Sequence, residues 1–269
     1  MTSLLSALAY SCPLILCSLG ALFTEYAGCL ALFMDGLVSF AAFLNYAFTL
    51  ASGSAIIGTA GSCLTSLLLV LAVSAVVEKF RANRFIAAIA LNLFFGALTS
   101  CLSWAIFGTR GVLAGDVYHL SLGATRAATV CVTALFVAMA VIFLGHSRQG
   151  LYLRVAGSYA DVLTAKGVNP GYIRNLSWGL AALYSSLAGS FLVMRLSSFV
   201  PNISSGRGWM ALAAVFLGKK KPLRIVAAVI IFCLADIFSA NIQNYIPGIS
   251  SSFLISLPYL VSLLLILIK

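Results

Sequence analysis

Apolar residues run along this chain in long blocks separated by short polar breaks. The blocks cover 3–23, 28–50, 54–77, 85–107, 124–145, 175–195, 225–242 and 253–268, with a shorter apolar piece at 209–218. Blocks of this length approach the roughly 20 residues an α-helix needs to cross a hydrocarbon core about 30 Å thick. The ten-residue alternation of a transmembrane barrel is absent from the pattern. The expectation is therefore an all-α integral membrane protein, a polytopic bundle of about eight transmembrane helices built as one domain over 1–269, supplemented by short broken or re-entrant helices. The first block has no basic n-region and is longer than the apolar core of a signal peptide, so it reads as a retained span.

The polar breaks carry the charge. Lys79, Arg81 and Arg84 mark one tight loop, the stretch 146–174 a second, and Lys219, Lys220, Lys221 and Arg224 a third. An excess of Lys and Arg marks cytoplasmic loops, which places the 108–123 loop and the N-terminus outside. The 219–224 cluster can then lie inside only if the short piece before it makes a partial crossing. At 1.5 Å per residue it reaches about 15 Å. The first half holds a similar piece, Gly28 to Gly36, also apolar, bounded by glycines and ending next to the acid Asp35; its counterpart is Gly208 to Gly218. Paired interrupted segments of opposite sense are the mark of inverted repeats around a central binding site. Glycine is also frequent in membrane helices, so chance gives the same pattern.

Within 146–174 the sequence predicts a discrete helix from Tyr159 to Lys166. Ser158 is placed to cap its start with Asp161 in the first turn, Lys166 suits the C-terminal dipole, and Gly167 stops it before the Asn169-Pro170-Gly171 turn. So short a helix is marginal alone, and Tyr159, Val162 and Leu163 share a face, so it calls for a partner surface.

Composition sharpens the class. The chain is 62% hydrophobic and 8% charged with mean hydropathy +1.10, far from the roughly one-quarter charged residues of soluble domains. The net charge of +10 does not point to nucleic acid, because the basic residues sit at block ends and form no stripe with interleaved aromatics. The seven cysteines lie in or beside apolar blocks without Cys-x-x-Cys spacing or a nearby His, and read as small buried hydrophobes with no metal or other cofactor implied. Glu25 and Glu78 fall at block ends. Asp35 and Asp236 fall inside apolar context, where an ionisable group is costly and faces the bundle interior or a watery cavity. For Asp35 the alternatives are a solute pathway or a helix cap; for Asp236, a pathway or pairing with a basic residue. Asn92 and the group Asn241, Gln243 and Asn244 can bond across helices or to a polar solute. Gly53, Ser54, Gly58, Gly61 and Ser62 suit close helix packing, and Trp209 opens the short second-half piece, where it could stack on a flat ligand. No G-x-x-x-x-G-K-[ST] occurs, so ATP, if used, binds elsewhere.

Three stretches carry a family resemblance. Gly150, Leu151, Arg154, Gly157, Gly167, Val168 and Asn169 fit the frame Gly-Leu-x-x-Arg-Ala-Val-Gly-x-Asn-x-x-Ala-Ala-x-x-x-Gly-Ile-Asn without gaps, with Tyr159 replacing Asn and Val162-Leu163 replacing Ala-Ala. The segments RANRFIAAIALNLFFGALTS at 81–100 and GRGWMALAAVFLGKKKPL at 206–223 match further motifs, and Asp35-Gly36 keeps the acid and glycine of a fourth. The chain thus resembles the permease subunit of an ABC importer of the ribose, branched-chain amino acid and nucleoside type, closest to the nucleoside-type permeases, a group that includes riboflavin importers. The resemblance implies a bacterial inner-membrane, non-catalytic subunit. It also implies separate ATPase chains, a second homologous permease chain, a substrate-binding protein and surrounding membrane lipids. By the same resemblance, Tyr159, Asp161, Val162, Leu163 and Lys166 would meet the ATPase, and Phe33, Asp35, Asn92, Trp209 and Met210 would lie near the solute pathway. An ion-coupled secondary transporter using Asp35 or Asp236 is the alternative reading of the same acids.

Overall fold

The computed structural model describes residues 2–115, 117–118 and 122–245. It contains α1 (Thr2–Tyr26), α2 (Met34–Ser52), α3 (Ala55–Lys79), α4 (Arg84–Phe107), β1 (Leu113–Ala114), α5 (Leu122–His146), α6 (Arg148–Ser158), α7 (Ala160–Ala165), α8 (Pro170–Leu196), β2 (Ser198–Phe199), α9 (Arg207–Leu217) and α10 (Pro222–Tyr245). Among these, α1, α2, α3, α4, α5, α8 and α10 include stretches long and apolar enough to cross a membrane. The expected block at 253–268 lies outside the described residues, as do the side chains of Asn241, Gln243 and Asn244.

Caps explain most boundaries. Gly53 adopts φ +68° and returns its N–H to the Thr49 carbonyl, which ends α2 and allows α3 to start two residues later. Asn83 accepts from the N–H groups of Phe85 and Ile86, the orphan donors at the start of α4. Asn169 caps α8, with Pro170 in its first turn, where a missing N–H costs nothing.

The predicted second block does not begin at residue 28. Residues 27–33 are irregular, so the Gly28–Gly36 piece is not a short helix, and α2 starts only at Met34. Residues 197–206 are irregular too, except for β2, and lead into the 11-residue α9, which is the short second-half helix anticipated. One end of the bundle collects the basic residues: Glu78 binds Arg84 at 2.5 Å and faces Arg174 at 3.8 Å, and Lys220 pairs with Glu25 at 3.0 Å. The opposite end holds the antiparallel pair β1–β2, with Leu113 opposite Phe199.

Burial separates centre from rim. The apolar windows of α1 and α8 are each 83% buried, against 22% for α4 and α5. The buried face of α3 is made of Gly58, Ser62, Ser66, Val70, Ser74 and Val77, spaced to let it lie close to α2 and α8. Ser62 bonds Ser190, and Ser74 donates to Asn175, so Gly58 and Ser62 belong to the packing face expected of them, while Gly53 serves as a cap.

Candidate functional site

The two irregular segments enter the bundle from opposite ends and meet at Asp35. Its Oδ1 accepts from the Gly208 N–H at 3.1 Å and from the Ser204 hydroxyl, while Asp35 itself lies in the first turn of α2. One carboxylate therefore faces the N-terminal ends of α2 and α9, where unpaired N–H groups and the helix dipoles favour negative charge. The neighbouring N–H of Gly36 donates to Asn92 Oδ1 at 2.6 Å, and the Ser204 N–H reaches Ser39 at 3.4 Å. No side chain fits at the two glycines: a Cβ on Gly36 would stand 2.3 Å from the Asn92 carbonyl oxygen, and one on Gly208 2.5 Å from the Asp35 nitrogen.

Beside this junction lies a cavity of about 400 Å³. Asp35, Gly36 and Ser39 line it from α2; Asn92, Gly96, Thr99, Ser100 and Ser103 from α4; Arg110 from the loop after α4; and Phe199, Pro201 and Asn202 from the 197–206 segment. The volume falls in the range that holds small organic ligands, roughly 300–1,000 Å³. Its wall mixes hydroxyl, amide and charged groups with the apolar faces of Leu93, Ala97 and Phe199. Asn92 sits about 12 Å along α4 from Arg84, well inside the apolar thickness.

Of the five expected pathway residues, the structure brings Asp35 and Asn92 into this cavity. Phe33 is fully buried against Trp178, ring centres 5.0 Å apart, Met210 is buried on α9, and Trp209 is half exposed on that helix. None of these three lines the cavity. Reading the chain by adjacency missed Ser39, Thr99, Ser100, Ser103, Arg110 and Asn202. The α4 members had a signal, since Asn92, Gly96, Thr99 and Ser103 recur with helical spacing inside an otherwise apolar block. Asp236 lies elsewhere: it accepts from the Tyr10 hydroxyl at 3.1 Å, and Arg195 stacks on that Tyr10 ring at 4.4 Å.

At the basic end, the helix predicted from Tyr159 to Lys166 is present as α7, one residue shorter at each end, and a second helix, α6, precedes it. Ser147 caps α6 by accepting from the Gly150 N–H, α6 runs to Ser158, and Tyr159 separates it from α7. Ser158 thus ends a helix and does not cap the next. Gly167, at φ +77°, stops α7 as expected. Tyr159, Asp161, Val162 and Lys166 are exposed, whereas Leu163 is turned into the core at 2% exposure. The common face predicted for Tyr159, Val162 and Leu163 is therefore split.

A family model described as "Branched-chain amino acid transport system / permease component" matches residues 3–268. The guanosine ABC transporter permease protein NupQ of Bacillus subtilis is 24% identical over 294 residues, 96% of this chain and 89% of that protein. The nucleoside ABC transporter permease protein NupC of Lactococcus lactis subsp. cremoris is 25% identical over 298 residues, with the same coverage. The ribose import permease protein RbsC of Escherichia coli is 35% identical over 86 residues, 30% of this chain and 27% of that one. Among solved structures, PsaBC from Streptococcus pneumoniae in complex with Fab superposes with a TM-score of 0.58 at 16% identity, covering 96% of this chain and 89% of that chain, a likeness of fold.

Proposed function

Because the chain belongs to the branched-chain amino acid transport system permease family of ABC transporters, we propose that the Asp35–Asn92 cavity is its solute pathway and that the solute is a ribonucleoside. The observation that carries this is the cavity wall. Hydroxyl, amide and carboxylate groups suit the hydroxyls of a pentose, and the faces of Leu93, Phe199 and Pro201 suit a flat base. Two relatives that cover 96% of the chain are named for guanosine or nucleosides, which supports a nucleoside as the solute. Riboflavin, with its ribityl chain and flat ring, makes the same demands and is an arm of the test.

The basic end is cytoplasmic by its excess of Lys and Arg. There, α6 and α7 present Tyr159, Asp161, Val162 and Lys166 as a docking surface for a separate ATPase chain. This chain supplies no catalysis; it pairs with a second permease chain and receives solute from a binding protein at the opposite end. ATP binding by the partner moves α6 and α7, and the helices around Asp35 change which side the cavity faces.

The test is reconstitution with its ATPase and second permease partners, followed by uptake of labelled guanosine, ribose and riboflavin. Guanosine uptake that requires ATP is expected. Loss of the Asp35 charge in Asp35→Asn should lower it about ten-fold, the size of a charge-assisted hydrogen bond. Uptake that follows an ion gradient without an ATPase would overturn the reading in favour of a secondary transporter, and uptake of riboflavin or ribose alone would overturn the nucleoside assignment. Val162→Glu should abolish ATP-dependent uptake while the bundle stays folded.

A further inference from the structure

The helix α9 is held at both ends by the flanks of a single irregular segment. At its start Gly208 donates to Asp35. Past its end, the Lys220 carbonyl accepts from the Tyr26 hydroxyl at 2.5 Å, and the Lys220 ammonium pairs with Glu25. Tyr26 and Asp35 bracket residues 27–33, so that segment and α9 form two sides of a closed ring of contacts. At 1.5 Å per residue, α9 is a strut of about 16 Å.

One corner of the ring bears on α6. Gly157 is so close that a Cβ there would lie 2.2 Å from the Tyr26 carbonyl oxygen and 2.9 Å from the Gly28 nitrogen. The Arg154 guanidinium stands 5.8 Å from the centre of the Tyr26 ring and donates to the Leu144 carbonyl. Backbone lies against backbone here with no flexible side chain between, and close-packed contacts of this kind transmit displacement instead of absorbing it. The half-exposed Glu25–Lys220 ion pair adds little by itself. The Tyr26 hydroxyl, which ties the end of α1 to the far end of α9, is the specific link.

We propose that Tyr26 is a positioning residue that passes movement of α6 to α9, and through α9 to Asp35 at the cavity. This rests on α6 and α7 being the ATPase docking element and adds the route by which that element reaches the solute. Tyr26→Phe removes the hydroxyl and keeps the ring. In the reconstituted complex, ribonucleoside uptake should fall about five-fold, the effect of one ordinary hydrogen bond, while ATP hydrolysis stays within about two-fold. More ATP is then consumed per solute. Unchanged uptake, or uptake and hydrolysis falling in proportion, overturns the proposal. If Tyr26→Phe does not assemble, Arg154→Gln loosens α6 from an intact Tyr26 and must raise ATP consumed per solute in the same way; an unchanged ratio overturns the proposal. Failure of the docking reading is distinguishable: Val162→Glu would then leave ATPase association and uptake at wild-type level whatever the Tyr26 variant does.

Discussion

Asp35 meets the N-terminal end of α9 and lines a cavity at the same time, so a capping role and a place facing a cavity are compatible. Such residues are visible in a sequence because an acid or an amide inside the bilayer is costly and needs a reason. Asn92 was legible on the same ground, and its reason is the Gly36 N–H that α2 leaves unpaired at its start. Replacing it with Leu should cost about 1–3 kcal/mol by stranding that donor, read as a lower melting temperature of the purified protein in detergent. Gly208→Ala should cost a similar ~1–3 kcal/mol by overpacking against Asp35, and in addition it should lower uptake, because the clash falls on the cavity wall. Arg110 and Asn202 were not legible, since both come from irregular segments without periodicity to aim a side chain. Phe33, Trp209 and Met210 are chain neighbours of Asp35 and Gly208, but the turn at 32–33 and the 100° steps of α9 keep their side chains off the wall of this cavity.

Among the elements, each long apolar block within the described residues holds a helix, because some twenty mostly apolar residues have few alternatives, whereas 146–174 shows where that reasoning stops. The sequence there has cap and stop residues for more than one helix: α7 matches the stretch predicted from Tyr159 to Lys166, without a cap from Ser158, while Ser147 caps the unpredicted α6. With Leu163 in the core and Val162 outside, two neighbouring substitutions separate folding from docking. Leu163→Glu places an unpaired charge among buried groups and should lower the yield of folded protein. Val162→Glu, on an exposed position, should leave the yield and melting temperature unchanged and affect uptake alone. The irregular start before α2 was hidden for a related reason: residues 27–33 are as apolar as a helix, and composition does not report that Gly28 sits at φ +72° and turns the chain out of α1.

For the whole molecule, burial shows how much of the machine one chain supplies. The centre is α1, α2 and α8, while α3, α4 and α5 keep large apolar residues exposed, including Leu64, Leu93, Leu135 and Ile142. Apolar faces of this kind suit the hydrocarbon of a bilayer. The face of α4 bearing Leu93 is different, because it borders the polar cavity and leaves it open on one side. The second permease chain proposed above would close this cavity if it packed against α4, and in that arrangement Leu93→Arg should reduce its co-purification without lowering the melting temperature of this chain. At this scale an irregular entry from the basic end meets an irregular entry from the other end at one carboxylate.

The two-residue ladder between β1 and β2 is small, yet it fastens the loop after α4 to the segment that carries Phe199, Pro201 and Asn202. Arg110, itself on the cavity wall, and Leu113 are thereby tied to the strand that carries Phe199 into the same wall. A binding protein docking on that end, as proposed above, would meet two stretches of the cavity wall already joined to each other.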